Sequence, residues 1–166
     1  MKNKILTLKK IKEKLLKFKK KKIVLCHGVF DLLHIGHIRH FTEAKKNGDI
    51  LIVSVTPDKY VKKGPNRPVF PMNIRMEAIS ELDCVDFVFA NSTPTAVNPI
   101  SIFKPNFYCK GSEYKDYAND LSGEIKNEVQ CLKKNGGKIV YSGGDVYSSS
   151  SIINTTNIDL NTEQIK

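Results

Sequence analysis

The sequence predicts an α/β fold: a doubly wound parallel sheet of five strands with helices on both faces, preceded by an amphipathic helix. Short β-branched apolar runs alternate with segments of helical periodicity, the pattern of parallel strands joined by right-handed crossovers. Glycines stand where helical segments should close. Two long irregular stretches and a histidine cluster each follow directly on a strand, at the end where open α/β sheets bind ligands.

Taken in order, Thr7 offers an N-cap, and Leu8, Ile11, Leu15, Leu16 and Phe18 recur at helical spacings, so residues 1–22 are expected to form a Lys-rich helix packed on the domain. Residues 23–27 read as a buried strand, and residues 35–47 as a helix closed by Gly48. A second β-branched strand covers residues 49–56, a helix residues 73–82, and a third strand residues 85–90. Residues 106–109 form a short fourth strand, residues 122–134 a helix ended by Asn135-Gly136-Gly137, and residues 138–142 the fifth strand. The arrangement is Rossmann-like, with a domain expected over residues 23–156 and a tail over 157–166. Residues 57–71 are Pro-rich and basic and residues 110–119 lack periodicity, which marks both as functional loops.

A chain of 166 residues with 40% hydrophobic content supports one domain with a proper core. Its net charge of +10 is local: the first 22 residues hold 11 Lys against one Glu, whereas the remaining 144 hold 16 basic and 16 acidic residues. No basic stripe crosses the body, which argues against nucleic-acid binding. No apolar run approaches the roughly 20 residues of a membrane span, and none has secretory length, so a cytoplasmic protein is expected. Cys26, Cys84, Cys109 and Cys131 form no C-x-x-C pair and are expected as reduced, mostly buried thiols. Cys26, inside an apolar run, reads as packing rather than as a nucleophile.

All four histidines fall in one stretch, His27, His34, His37 and His40. His34 and His37, three apart around Gly36 at a helix start, would share a face beside the positive end of the helix dipole, where unpaired N–H groups attract phosphate. Gly36 leaves room for a ligand, and an imidazole pair supplies donors for charge developing on a phosphoryl oxygen. Lys62, Lys63, Arg67 and Arg75 offer further cations. His27 and His40 read as structural. A metal site on the histidines finds no carboxylate or Cys at a compelling sequence spacing, and none is assigned.

Gly28-Val-Phe-Asp-Leu-Leu-His-Ile-Gly-His37 resembles the signature of the cytidylyltransferase-like, H-x-G-H nucleotidyltransferases. That superfamily shares its motif with class I aminoacyl-tRNA synthetases, whose second signature is missing here. The similarity is greater to the adenylyltransferase domain of ADP-heptose synthases. It extends through Lys63-Gly64-Pro-Asn-Arg67-Pro-Val-Phe-Pro71, Arg75, Thr93-Pro94, Lys104-Pro105-Asn106, Lys110-Gly111-Ser-Glu-Tyr114 and Ser148-Ser-Ser-Ser-Ile152. The Arg-containing motif that precedes the last helix in glycerol-phosphate and choline-phosphate cytidylyltransferases is replaced by Gly143-Gly-Asp-Val-Tyr-Ser148-Ser.

The resemblance implies attack of a sugar or polyol phosphate on the α-phosphate of an NTP, ATP being favoured, with release of pyrophosphate. It implies His34, His37 and Lys63 as catalytic groups. Gly28, Val29, Phe30, Gly36, Lys62 and Ser148, Ser149, Ser150 and Ser151 would bind the nucleotide, Arg75 and Lys110 the substrate phosphate, and Mg²⁺ would accompany the NTP. A homodimer through the N-terminal helix is a further expectation. The alternatives are a CTP-dependent enzyme acting on glycerol phosphate or another polyol phosphate, and a nucleotide-binding interaction module without catalysis.

Overall fold

A computed structural model describes residues 3–62, 64, 66–115 and 123–143. Its sheet holds β1 (Ile23–Gly28), β2 (Ile50–Val55), β3 (Phe87–Ala90), β4 (Phe107–Gly111) and β5 (Lys138–Ser142), all parallel and ordered β3-β2-β1-β4-β5. Chain order reverses between β1 and β4, so the crevice above their carboxyl ends is the topological switch point.

Helices α2 (Ile35–Lys45) and α3 (Met72–Ser80) cover one face, where Phe41, Ala44 and Ile79 pack with Val24, Cys26, Val53 and Cys109. Helices α1 (Leu8–Leu15), α4 (Val97–Phe103) and α5 (Ile125–Lys134) cover the other, bringing Ile11, Ile100, Phe103 and Leu132 onto Leu25, Ile52 and Tyr108. Both sheet faces are covered, as the continuous apolar runs require. β2 is buried along its whole length.

The predicted elements are present with shifted ends. Residues 85 and 86 precede the third strand because Asp86 turns its carboxylate onto the N–H of Leu51, 2.7 Å away, and onto Lys45. Thr7 caps α1 through the N–H of Lys10, but the helix stops at Leu15. Leu16 and Phe18, expected on its packed face, lie past its end and are exposed. Ahead of α1 the backbone of Lys4 and Leu6 pairs with Val88 of β3 and extends that edge. Helix α4 has no counterpart in the sequence reading: Pro99 stands in it and it is two turns long, too short to establish a period. Lys104, in the left-handed conformation at φ 46°, closes it.

Candidate active site

A cleft of about 160 Å³ opens at the switch point, bounded by the loop after β1, the first turns of α2, and the ends of β4 and β5. Of the residues singled out from the sequence, Gly28, Val29, Phe30, His34, Gly36, His37 and Lys110 line it together. Lys62 is exposed outside that lining. Lys63 and Ser148, Ser149, Ser150 and Ser151 lie outside the described residues.

The histidine pair is built by the start of α2. His34 is the N-cap, extended at φ −134°, and its Nδ1 accepts from the N–H of Gly36 at 3.1 Å. His37, at the third helical position, returns its own Nδ1 to the N–H of His34 at 3.4 Å. This is a capping box made of two imidazoles. It revises the expectation of open backbone donors, since the amides of His34 and Gly36 are already engaged. Each Nδ1 is an acceptor, so each neutral ring carries its proton on Nε2. The box engages both backbone donors and leaves Nε2–H as the donor of each ring, with ring centroids 3.9 Å apart.

Nε2 of His34 is buried and has no hydrogen-bond partner among the described residues. A buried donor left unpaired costs about 1–3 kcal/mol, and a cleft-lining residue recovers that when an acceptor arrives. Burial also lowers the pKa of His34, so its ring stays neutral and keeps the Nε2 proton at physiological pH.

Phe30 buttresses the pair. It takes a left-handed conformation at φ 48° and packs edge-on to His37, with centroids 5.5 Å apart, and against Phe41. A side chain at position 28 would place Cβ 2.9 Å from the Phe30 ring, so glycine is needed there for the ring to fold back. Phe30 is therefore core as well as cleft wall.

On the opposite wall, Lys110 is held from behind. Its Nζ lies 3.9 Å from the buried carboxylate of Glu128 and 4.1 Å over the ring of Tyr114. Glu128 in turn accepts from the Tyr108 hydroxyl and the Ala96 N–H, both at 2.8 Å. Arg39, which the sequence reading passed over, also lines the cleft from α2. Its signal was its place two residues beyond His37, on the same helix start. Four histidines, Arg39 and Lys110 face one carboxylate, Glu113, among the described lining residues. Such a surface suits a polyanion.

Two predicted cations have other roles. Arg75, expected to hold a phosphate, is 2% exposed. Four of its five N–H donors go to the carbonyls of Phe70, Val29 and Thr56 and to Asp58, the last at 2.5 Å. It ties the loops after β1 and β2 together, and its charge is spent inside the fold. Arg67 is paired with Asp31 at 2.7 Å, both side chains buried. Burial works against the Asp31 charge, but the N–H groups of Val69 and Phe70 and the Arg67 guanidinium outweigh it and hold its pKa below the ordinary carboxylate value. Asp31 thus pins the Pro-rich loop beside the histidines.

His27 is structural, as read: Nδ1 meets Ser54 Oγ and Nε2 the Pro94 carbonyl, each at 3.0 Å. Burial lowers its pKa, and burial with the nearby Lys110 charge takes His40 down to about 4. An unfolded chain protonates these rings near 6.5, the folded one only at lower pH. Their contribution to stability is thus complete above about pH 6.5 and is lost as pH falls toward 4. In buffer containing EDTA, His40 alone should account for about 3 kcal/mol between those limits. Urea denaturation at pH 7.5 and 4.5 checks this: equal midpoints would contradict it.

Fold and site together define a nucleotidyltransferase, and the chain belongs to the cytidylyltransferase-like family, whose model matches residues 25–158. Its relatives include the bifunctional protein HldE of Hydrogenovibrio crunogenus, 37% identical over 138 residues, with 81% of this chain and 27% of the relative covered. The protein of the same name from Campylobacter jejuni subsp. doylei is 42% identical over 131 residues, covering 75% and 28%. The chain spans about a quarter of the length of these relatives. Among solved structures, the lipopolysaccharide core biosynthesis protein of Thermoplasma volcanium superposes with a TM-score of 0.62 at 30% identity, over 76% of this chain and 99% of that one. Pantoate-beta-alanine ligase from Francisella tularensis, at 20% identity and a TM-score of 0.64 over 92% and 73%, shares the fold. No helix among the described residues is long and apolar enough to cross a membrane.

Proposed function

We propose that this nucleotidyltransferase transfers AMP from ATP to the phosphate of a sugar 1-phosphate of the heptose class, releasing pyrophosphate, in the cytoplasmic synthesis of surface polysaccharide precursors. The observation that carries the chemistry is the imidazole capping box, with the Nε2 of the cleft-lining His34 left without a partner among the described residues. Likeness to HldE and to a lipopolysaccharide core biosynthesis protein supports the sugar acceptor.

In this reading an oxygen of the acceptor phosphate attacks the α-phosphorus, and the bond to the bridging oxygen of pyrophosphate breaks. His34 and His37 donate from Nε2 to the α-phosphate oxygens as charge gathers on them, without a covalent intermediate. Lys110, braced by Glu128, and Arg39 hold phosphate oxygens from the opposite sides. In the same reading Lys63, with Lys62, closes over the phosphates, Ser148, Ser149, Ser150 and Ser151 offer hydroxyl and N–H groups to the triphosphate, and the chain works as a homodimer.

The described lining is rich in nitrogen donors and has Glu113 as its carboxylate. That set fits Mg²⁺ arriving on the triphosphate and held mainly by phosphate oxygens and water. When bound, the ion would neutralise charge on the departing pyrophosphate.

The test is pyrophosphate release with Mg²⁺, each NTP in turn, and a panel of sugar 1-phosphates and polyol phosphates. ATP with a heptose 1-phosphate is expected to turn over fastest. Turnover with CTP and glycerol phosphate instead would overturn the base and the acceptor, and no turnover with any pair would leave a nucleotide-binding module.

A further inference from the structure

One cluster of chemistry-bearing side chains has no part in that reaction. Cys26 of β1 and Cys109 of β4 are register partners on adjacent parallel strands, so their side chains share the sheet face that α2 covers. Helix α2 supplies His40 to the same point, and the two sulfurs and an imidazole nitrogen lie within 4.8 Å of one another. Both thiols are free. We propose that Cys26, Cys109 and His40 form a binding site for a thiophilic divalent cation of the zinc class, with its fourth coordination position open to the cleft.

The geometry is close to what such an ion needs. A tetrahedral centre with zinc–sulfur bonds of about 2.3 Å holds its ligand atoms roughly 3.8 Å apart, so small side-chain rotations close the site. The charge also balances: two thiolates and a neutral imidazole around a dication are together neutral, which suits thiols that are 0% and 1% exposed. Hard cations are disfavoured by the sulfur donors. Of the three ligands His40 reaches the cleft wall, which gives the fourth position to water or to an oxygen of a bound ligand. Ser142 Oγ, 2.7 Å from Nδ1 of His40, fixes the ring orientation and leaves Nε2 as the nitrogen for the ion. Packing explains two buried cysteines but calls for no imidazole beside them. The sequence spacing concealed this set, because parallel pairing brings the two cysteines together from distant parts of the chain.

Binding replaces two S–H bonds by two metal–sulfur bonds and releases two protons to solvent. The test titrates the full-length, reduced, EDTA-treated protein with Co²⁺. One equivalent is expected to bind with thiolate-to-cobalt charge transfer in the near ultraviolet and intense tetrahedral bands in the visible, both lost on adding Zn²⁺. Cys26→Val and Cys109→Val, chosen to keep an apolar, strand-compatible core, should each retain the far-ultraviolet dichroism of the fold and weaken binding at least about 100-fold. His40→Ala should weaken it comparably, whereas Cys84→Ser and Cys131→Ser should leave it unchanged. Cobalt bound without thiolate bands, bands that persist in the folded Val variants, or no binding at one equivalent would each overturn the proposal. Because the readout is metal and not turnover, it is independent of the outcome of the pyrophosphate assay.

Discussion

Replacing His34 by Asn is expected to lower kcat by about 10² to 10³, the usual loss when one aimed donor to a developing oxyanion is removed, with nucleotide affinity changed only a few-fold. The substitution separates two roles that this side chain combines. As an N-cap it accepts from the N–H of Gly36, and Asn caps as well as any residue. As a donor in the proposed reaction it offers the Nε2 proton, and the shorter amide neither reaches the same point nor packs on the His37 ring, whose centroid lies 3.9 Å away. The His34→Asn protein should therefore melt near the parent temperature while its pyrophosphate release collapses. His34→Ala should add about 1 kcal/mol of lost cap stability to the same catalytic defect. His37→Asn should show a similar loss in kcat, because the two rings orient one another through the backbone of His34. Full activity in His34→Asn would reduce the imidazole to a cap.

Arg75→Ala is expected to destabilise the fold by about 3 kcal/mol or more. The guanidinium leaves three carbonyl acceptors, those of Val29, Thr56 and Phe70, and each buried polar group stranded without a partner costs about 1–3 kcal/mol. Asp58 also loses its ion pair, but its side chain is 45% exposed, so water compensates it and the carbonyls carry most of the cost. Arg75→Lys should recover little, since one ammonium cannot reproduce a planar fork aimed at several acceptors. Urea denaturation with an unchanged m-value measures the effect. An Arg75→Ala protein of parental stability with a raised KM for the nucleotide would restore the phosphate contact that the family resemblance implied.

The difference between those two residues shows what sequence reading reaches. His34, Gly36 and His37 are local: their spacing alone places both rings at one helix start, and the structure adds only that they cap it. Arg75 carries the same charge whether it faces a phosphate or three carbonyls, and its acceptors come from the loops after β1, after β2 and before α3, which no local pattern encodes. Asp31 with Arg67, and Glu128 with Lys110, were hidden for the same reason. At the level of the fold, β1, β2 and β5 were legible because β-branched residues repeat through them, while Pro99 and a length of two turns masked α4. Leu16 and Phe18 continue the apolar spacing of α1 past the point where the backbone leaves the helix, so periodicity overran the element.

The central claim is that the paired imidazoles act on the α-phosphate of the nucleotide. Single-turnover reaction with ATP labelled at either the α- or the γ-phosphate, in the presence of Mg²⁺ and the sugar 1-phosphate acceptor, tests it most directly. The α-label is predicted to appear in the nucleotide sugar and the γ-label in pyrophosphate, with both products suppressed together in His34→Asn. Transfer of the γ-label to the acceptor with formation of ADP, or α-transfer that proceeds undiminished in His34→Asn, would contradict it.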